Sequence, residues 1–235
     1  MDYFYSPNIS RGCFYLDAEE AKHCVRVLRK KPGDQIIVLD GKGSLYTCTI
    51  TEIQGKIVNF EILNIQKAEI PSCDIHIAIA PTKNIERIEW FLEKSIEVGV
   101  QRISYILCDN SERKRVNMTR MMKKAISAIK QSQNPYLPVI NDMIPFSDFI
   151  NNDDKDSRKL ICHAERGKTA FLLQAIEKRP AYQIVIGPEG DFTKDELLMA
   201  EKAGFTPVSL GRTRLRTETA GLVACILLNA LNAQV

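Results

Sequence analysis

The chain has 235 residues, of which 45% are hydrophobic and 26% are charged, and 32 basic against 29 acidic side chains give a formal net charge of +3. This balance is typical of a globular protein with a hydrophobic core and excludes disordered, collagen-like and low-complexity classes. The longest nearly uninterrupted apolar run covers residues 220–228, far short of the roughly 20 residues that a membrane span needs. Because the N-terminus shows no secretory signal, we expect a soluble, cytoplasmic protein that does not act at a membrane.

The cysteines and histidines give no pattern for a metal site. The seven cysteines are an odd number, are widely scattered and form no Cys-x-x-Cys pair, which is typical of reduced thiols and not of a disulfide framework. The three histidines, His23, His76 and His163, are also far apart in the sequence. We therefore expect no metal.

Basic residues are concentrated in three segments. Residues 111–130 hold seven basic side chains and one acidic side chain, residues 22–31 hold five basic side chains and no acid, and Arg212, Arg214 and Arg216 alternate in the third segment. A single cluster of this kind is usually a solvated helix face. Three clusters on a nearly neutral chain favour a polyanion that is bound at several points, and we predict nucleic acid.

The first 69 residues are predicted to form β structure with one helix. Asp17 and Glu20 have the spacing of an N-cap with an acid at the third helical position, and the helix should end before residues 30–33, where a Pro-Gly pair follows two lysines. Runs rich in β-branched residues at 35–40, 45–53 and 56–63 are separated by glycine turns. Short strands joined by tight turns predict a small barrel.

From residue 74 onward the pattern changes to alternating strands and helices. Strands are predicted over 75–80, 103–108, 160–163, 183–186 and 207–210. Helices are predicted from an N-cap at Asn84 to Gly99, over 117–133 and 168–176, from a capping box of Thr193 and Glu196 to Gly204, and over 219–231. Such alternation predicts an α/β domain with a mainly parallel sheet that is covered on both faces. Ligands of these folds bind beyond the carboxyl ends of the strands, where three loops stand out.

The first of these loops follows the predicted strand 183–186. Gly187 and Gly190 allow the backbone to approach a ligand closely, and Pro188 restricts the geometry between them. An ordinary turn between a strand and a helix needs at most one glycine. The pair of glycines therefore favours a binding loop.

The second loop, residues 210–219, leads into an almost wholly apolar helix. Thr217, Glu218 and Thr219 are expected to supply capping oxygens and a favourable negative charge at the start of that helix. Capping explains the threonines and the glutamate. It does not explain three arginines beside a buried helix.

The third loop begins at His163, at the end of a predicted strand. This histidine is either a general base or a hydrogen-bonded wall residue, and the second role is the commoner one. No P-loop, GxGxxG, HExxH or GxSxG motif is present, so nucleoside triphosphates, dinucleotides and acyl-enzyme chemistry lose support.

The two C-terminal loops carry a family resemblance. Residues 186–190 (Ile-Gly-Pro-Glu-Gly), Leu210-Gly211 and residues 215–220 (Leu-Arg-Thr-Glu-Thr-Ala) resemble the SPOUT methyltransferases and, within them, the bacterial 16S ribosomal RNA uracil-N3 methyltransferases of the RsmE family. Further similar segments cover nearly the whole chain and lie at 25–29, 33–34, 40–43, 94–100, 111–113 and 130–132. The chain departs from the family pattern at two places. Asp191 stands where the family often has a second glycine, and Gln133-Asn134-Pro135 stands where the family often has an arginine just after the Gln-Ser pair.

The resemblance implies a fold, a cofactor and a substrate. Residues 1–69 would form a PUA-like β-barrel that binds RNA, and residues 74–235 a SPOUT-type domain with a parallel sheet and a C-terminal trefoil knot. The cofactor would be S-adenosylmethionine, and a homodimer would methylate 16S ribosomal RNA of the small ribosomal subunit. Cofactor contacts are expected from His163, Ile186, Gly187, Pro188, Glu189, Gly190, Leu210, Gly211, Leu215, Arg216 and Thr217.

The resemblance also suggests roles in chemistry and RNA binding. Loss of the uracil N3 proton spreads negative charge over the flanking carbonyl oxygens, and Arg216 is expected to stabilise that charge, with Glu218 orienting it or the helix start. In the alternative, Arg216 only pairs with Glu218 and braces the loop. Phosphate contacts are expected from Arg11, His23, Arg26, Arg29, Arg113, Arg115 and Lys123.

Two other functions are compatible with the same residues. One is a methyltransferase of this architecture that acts on a transfer RNA, a ribose hydroxyl or another RNA site. The other is a non-catalytic RNA-binding factor for ribosome assembly, which would be indifferent to loss of Arg216. The proton acceptor is not identified by the sequence, and bulk water can serve.

Overall fold

The computed structural model describes residues 2–152, 156–163 and 169–233, which form two compact units. The first unit comprises the chain up to Ile70 together with Ile126–Leu137, and the second comprises Pro71–Ala125 and the chain from Pro138 onward. The division therefore also falls within a helix, Met118–Ser132. As limits of independently folding domains, 1–69 and 74–235 stay a prediction.

The first unit is built on a five-stranded sheet with the order β1-β3-β4-β5-β2. β1 runs parallel to β3, and the other neighbours are antiparallel. All five strands and the first helix contribute side chains to a single apolar core, which includes Phe4, Leu16, Val38, Cys48 and Val58. The strands and helix of this unit are β1 (Tyr3–Tyr5), β2 (Tyr15–Leu16), α1 (Ala18–Lys22), β3 (Gln35–Leu39), β4 (Ser44–Gln54) and β5 (Ile57–Lys67).

Helix α1 begins as the sequence predicts. Asp17 Oδ1 accepts hydrogen bonds from the backbone N–H groups of Glu19 and Glu20, both at 3.0 Å. A π-helical turn, His23–Val27, continues the helix toward the predicted end. Capping of this kind satisfies N–H groups that have no partner inside the helix.

The second unit contains a six-stranded sheet with the order β11-β9-β10-β6-β7-β8, and every neighbouring pair in it is parallel. The predicted parallel α/β sheet is confirmed. Its strands are β6 (Asp74–Ile79), β7 (Arg102–Leu107), β8 (Val139–Pro145), β9 (Arg158–Cys162), β10 (Ala181–Ile186) and β11 (Thr206–Val208). The remaining helices are α2 (Ile85–Val98), α3 (Met118–Ser132), α4 (Phe146–Ile150), α5 (Leu172–Ala175), α6 (Lys194–Lys202) and α7 (Thr217–Asn232).

Strand β8 and helix α4 have no counterpart among the predicted elements. β8 lies at the edge of the sheet and its side chains are exposed or only half-buried. An edge strand of this kind lacks the apolar run or strict alternation that identifies a strand in sequence. Helix α5 is shorter than predicted and covers Leu172–Ala175; the predicted start at residue 168 lies outside the described residues.

Helices α2 and α7 pack closely on the sheet. Gly221 in α7 is buried, and a Cβ atom there would lie 2.6 Å from Phe91 Cε2 and 3.2 Å from Ile79 Cδ1. Helix α2 ends at Gly99, which has a left-handed φ of 99°, as the sequence predicts. Among the residues that the structure describes, no helix is both long enough and apolar enough to cross a membrane.

Candidate active site

Four loops start at one edge of the second sheet. Ile186 at the end of β10 is level with Ile79 of β6 and Cys162 of β9, and Cys162 is level with Val208 of β11. The segments that follow these strands therefore begin side by side. The structure brings together two loops predicted from the sequence, residues 187–191 (the glycine-rich turn) and residues 210–216 before α7 (the α7 loop). It also places residues 80–84 (the β6–α2 loop) beside them.

The glycine-rich turn is tightly packed. A Cβ atom on Gly187 would lie 2.8 Å from Cε2 of the buried Phe192 ring, and one on Gly190 would lie 3.0 Å from Asn110 Cβ. The Asp191 N–H donates to Pro188 O at 3.0 Å and closes the turn. A side chain at Gly187 would therefore need the Phe192 ring to shift, and one at Gly190 would crowd Asn110, so close packing favours glycine at both positions.

Asp191, a departure from the family pattern, is accommodated in this turn. Its φ of 64° lies in the left-handed region, which aspartate tolerates better than most residues. Its Oδ1 accepts the Phe192 N–H at 2.8 Å and lies 3.4 Å from His163 Nδ1. The Asn110 amide donates to the carbonyl oxygens of Gly190 and Asp191 at 3.3 and 3.0 Å. His163 is therefore a hydrogen-bonded residue beside the turn.

The threonines at the start of α7 do not have the predicted capping role. Arg216 occupies the N-cap position, and its side chain makes no capping hydrogen bond. Thr217 Oγ1 instead donates to Gly187 O at 3.1 Å. Its hydroxyl is directed to a neighbouring loop and so joins the α7 start to the glycine-rich turn.

The partner of Glu218 is Arg87 of α2. Arg87 Nε lies 3.8 Å from Glu218 Oε1, and Arg87 Nη1 lies 3.6 Å from Glu189 Oε1. The Glu218 side chain is only 8% exposed, and its Oε2 has no hydrogen-bond partner within the described part of the chain. Arg216 is exposed and forms no ion pair with Glu218, so the bracing pair considered above is absent.

Glu189 of the glycine-rich turn contacts both the β6–α2 loop and the α7 loop. Its Oε2 accepts the Lys83 N–H at 3.2 Å, and its carbonyl oxygen accepts a hydrogen bond from Arg214 Nη2 at 3.1 Å. Arg113 Nε donates to Thr82 O at 2.9 Å, and its Nη2 donates to the Lys83 carbonyl. The β6–α2 loop is thereby held against the turn from one side and by Arg113 from the other.

The β6–α2 loop and Arg87 were not predicted from the sequence. Residues 80–84 contain no glycine and no known motif. Their position directly after a buried parallel strand was the available signal, because the carboxyl-end rule applies to every such strand. Arg87 carried no signal of its own.

The remaining predicted residues are distributed over both units. Leu210 and Leu215 are half-buried, and Gly211 has a left-handed φ of 146°. Arg113 uses donors on backbone carbonyls, as described above. The other predicted RNA contacts are all exposed and lie in the first unit (Arg11, His23, Arg26 and Arg29) or the second (Arg115 and Lys123).

Comparisons with known proteins agree with this architecture. The family model for the RNA methyltransferase domain matches residues 68–229, and that for the RNA methyltransferase PUA domain matches residues 16–63. Ribosomal RNA small subunit methyltransferase E of Buchnera aphidicola is 30% identical over 228 residues, which are 93% of this chain and 88% of that protein.

Two solved structures are similar over nearly their whole length. A probable rRNA-methyltransferase from Porphyromonas gingivalis has a TM-score of 0.91 at 40% identity, with 99% of this chain and 98% of that chain covered. Ribosomal RNA small subunit methyltransferase E from Neisseria gonorrhoeae, bound to S-adenosyl methionine, has a TM-score of 0.88 at 27% identity, with 98% of each chain covered.

The parallel sheet with its converging loops is thus an RNA methyltransferase domain, and it accompanies a PUA domain. The chain belongs to the ribosomal RNA small subunit methyltransferase E family. The family resemblance drawn from the sequence is confirmed.

Proposed function

We propose that this protein transfers a methyl group from S-adenosylmethionine to N3 of a specific uridine in 16S ribosomal RNA of the small ribosomal subunit. The observation that carries the proposal is the convergence of the glycine-rich turn, the α7 loop and the β6–α2 loop at one edge of the sheet. The chain's membership of an rRNA methyltransferase family supports the choice of substrate.

The converging loops suit S-adenosylmethionine. The half-buried Leu210 and Leu215 provide apolar surface for an adenosine. Oε2 of the buried Glu218 carboxylate has no hydrogen-bond partner among the described residues, which suits a cationic ligand. When bound, the cofactor supplies the reactive methyl group, so the protein mainly positions and polarises. The full set of proposed cofactor contacts is His163, Ile186, Gly187, Pro188, Glu189, Gly190, Leu210, Gly211, Leu215, Arg216 and Thr217.

Arg216 is proposed to stabilise the charge that develops on the uracil carbonyl oxygens as N3 loses its proton. Its guanidinium is exposed at the start of α7 and has no hydrogen bond or ion pair to any other residue in the described ranges. A free guanidinium is available for a planar anion. Glu218, held by Arg87, would keep the start of α7 in place beside it.

The position of N3 determines how the RNA must be bound. This atom lies on the Watson–Crick edge, so the target uridine must be unpaired or flipped out. The residues up to 69 would form the RNA-binding PUA-like domain, with Arg11, His23, Arg26 and Arg29 on phosphates, and Arg113, Arg115 and Lys123 would add contacts from the methyltransferase domain of 74–235. The trefoil knot, the homodimer and a cytoplasmic location complete the proposal on the basis of the family.

The test is transfer of labelled methyl from S-adenosylmethionine to small ribosomal subunits and to naked ribosomal RNA, followed by mapping of the modified nucleoside. The proposal expects 3-methyluridine at one site. Label in a ribose would show a different methylation site, and absence of label despite cofactor binding would point to a transfer RNA substrate. Absence of cofactor binding would favour a non-catalytic RNA-binding factor.

The role of Arg216 has a matched control in the same loop. Arg216→Ala should lower kcat by about 100-fold or more, as loss of a charge-stabilising donor does. Because the proposed cofactor contact of this residue is through its backbone, which the substitution keeps, cofactor affinity should stay within a factor of about two. Arg212 is also exposed in this loop, and Arg212→Ala should retain near wild-type kcat. Equal effects of both substitutions would reject the specific role of Arg216.

A further inference from the structure

Two adjoining clefts lie at the ends of β7 and β8, and the loops described above do not line them. Their volumes are about 380 and 310 Å³, and they share Leu107, Lys114 and Pro145 as lining residues. We refer to both together as the β7–β8 cleft. Its lining includes none of the proposed cofactor contacts.

The cleft opens at the same edge of the sheet as the candidate active site. β7 lies two strands from β10 and β8 lies three strands away, and all of these strands are parallel. Neighbouring strands are about 4.8 Å apart, so the cleft is on the order of 10–14 Å from the end of β10 across the sheet. A flexible chain held at both places needs to cross only the β6–α2 loop.

The cleft has a cationic rim and an apolar wall. Lys114 and Arg115 line it, are exposed, and form no hydrogen bond or ion pair to the rest of the described structure. The preceding residue, Arg113, is fixed by its bonds to the Thr82 and Lys83 carbonyls. The chain is thus fixed at Arg113, and the two cationic side chains that follow it remain available for an anion.

The other lining residues define the rest of the ligand. Val116 and Ile144 form an apolar side of the cleft, and four carboxylates also line it, those of Asp109, Asp142, Asp195 and Glu196. Carboxylates accept hydrogen bonds from N–H groups and disfavour a simple anion. A flat apolar body with N–H donors and an attached phosphate matches all three features, and an unpaired nucleotide has this chemistry.

We propose that the β7–β8 cleft binds an unpaired nucleotide of the RNA that flanks the methylated one, with its base against the apolar wall and its phosphate at Lys114 and Arg115. This inference rests on the proposed function for the identity of the polymer as RNA. The cleft then positions the target strand at a fixed distance from the cofactor loops and contributes to the choice of site.

The first experiment measures binding of ribosomal RNA by the full-length protein. The double charge reversal Lys114→Glu with Arg115→Glu should weaken binding by at least about 10-fold at low salt and reduce the slope of log affinity against log salt by more than one, because each phosphate contact on a single strand contributes about 0.7. Lys202→Glu, an exposed reversal on α6 outside the cleft lining, should change neither quantity. Affinity for S-adenosylmethionine should be unchanged in all variants.

The second experiment locates the nucleotide. Small-subunit RNA with 4-thiouridine at single positions flanking the target is irradiated in complex with the protein, and the cross-linked peptides are identified. Cross-links within 107–116 or 142–147 support the cleft. Unchanged salt dependence in the double variant, or cross-links only elsewhere, would overturn the inference even where methyl transfer is intact. Cleft cross-links without any methyl transfer would reject the proposed function and leave the RNA site standing.

Discussion

The ion pair between Arg87 and Glu218 leads to a quantitative prediction. At 3.8 Å, two unit charges in a medium of effective dielectric constant about 20 attract each other by about 4 kcal/mol. Arg87 is 37% exposed, so solvent screening and side-chain ordering remove a large share of this energy. Glu218 is nearly buried, and loss of its partner leaves its charge uncompensated. We therefore expect Arg87→Gln to lower the free energy of unfolding by about 1–2 kcal/mol.

The same substitution should affect cofactor binding. Arg87 also contacts Glu189, which lies in the glycine-rich turn. Without the guanidinium, the turn and the α7 start lose their common partner, and affinity for S-adenosylmethionine should fall by about 3- to 10-fold. Arg87→Lys retains the charge but not the two-sided geometry, so it should give an intermediate result.

A double-mutant cycle separates this coupling from general damage. The free energy of unfolding is measured in urea for Arg87→Gln, Glu218→Gln and the double variant, and the double variant should be more stable than the sum of the single effects predicts, by about 1 kcal/mol. Lys94→Gln on the same helix breaks the exposed ion pairs to Glu93 and Glu97 and should cause no measurable loss. Strict additivity of the two substitutions would refute the reasoning.

Three further predictions concern packing, a loop contact and pH. Gly221→Ala places a Cβ atom 2.6 Å from Phe91. The cost of overpacking, about 1–3 kcal/mol, should exceed the gain in helix propensity of about 1 kcal/mol, so the Tm should fall and should partly recover in combination with Phe91→Leu. An unchanged Tm would contradict the close contact. Thr217→Val removes the bond to Gly187 O and should weaken S-adenosylmethionine binding about 5-fold by calorimetry; wild-type affinity would show that the two loops are held independently. Burial raises the pKa of the Cys48 thiol from its usual 9.0 to about 12, so between these pH values the unfolded state releases a proton that the folded state retains. The free energy of unfolding should therefore fall by about 1.4 kcal/mol per pH unit over this range because of this thiol. Cys48→Ala should make the slope of unfolding free energy against pH shallower by that amount, and an identical slope would contradict the shift.

Several elements follow from local chemistry and were predictable for that reason. The Asp17, Asn84 and Thr193 caps each form the bonds that their spacing implies. These bonds join residues two or three positions apart, so the sequence contains both partners. The parallel sheet is predictable on the same basis, because alternation of apolar runs and amphipathic helices requires it.

The glycine-rich turn was also identified from the sequence, although the structural reason for glycine at these positions differs from the predicted one. They were expected to admit a ligand, and the structure shows that the Phe192 ring and Asn110 already occupy the space beside them. The pattern of residues was informative because close approach of backbone needs glycine whichever group approaches. Which group it is depends on the packing.

Contacts between distant segments were decided by the tertiary structure. Thr217 bonds to Gly187, which is 30 positions away, although its sequence context predicted a helix cap. Glu218 pairs with Arg87 and not with the nearby Arg216. The strand order β11-β9-β10-β6-β7-β8 brings these loops together, and no local pattern encodes that order. The sequence by itself therefore determined most of the elements, three of the helix caps and the family, whereas the partners of the site residues depend on which strands become neighbours when the sheet forms.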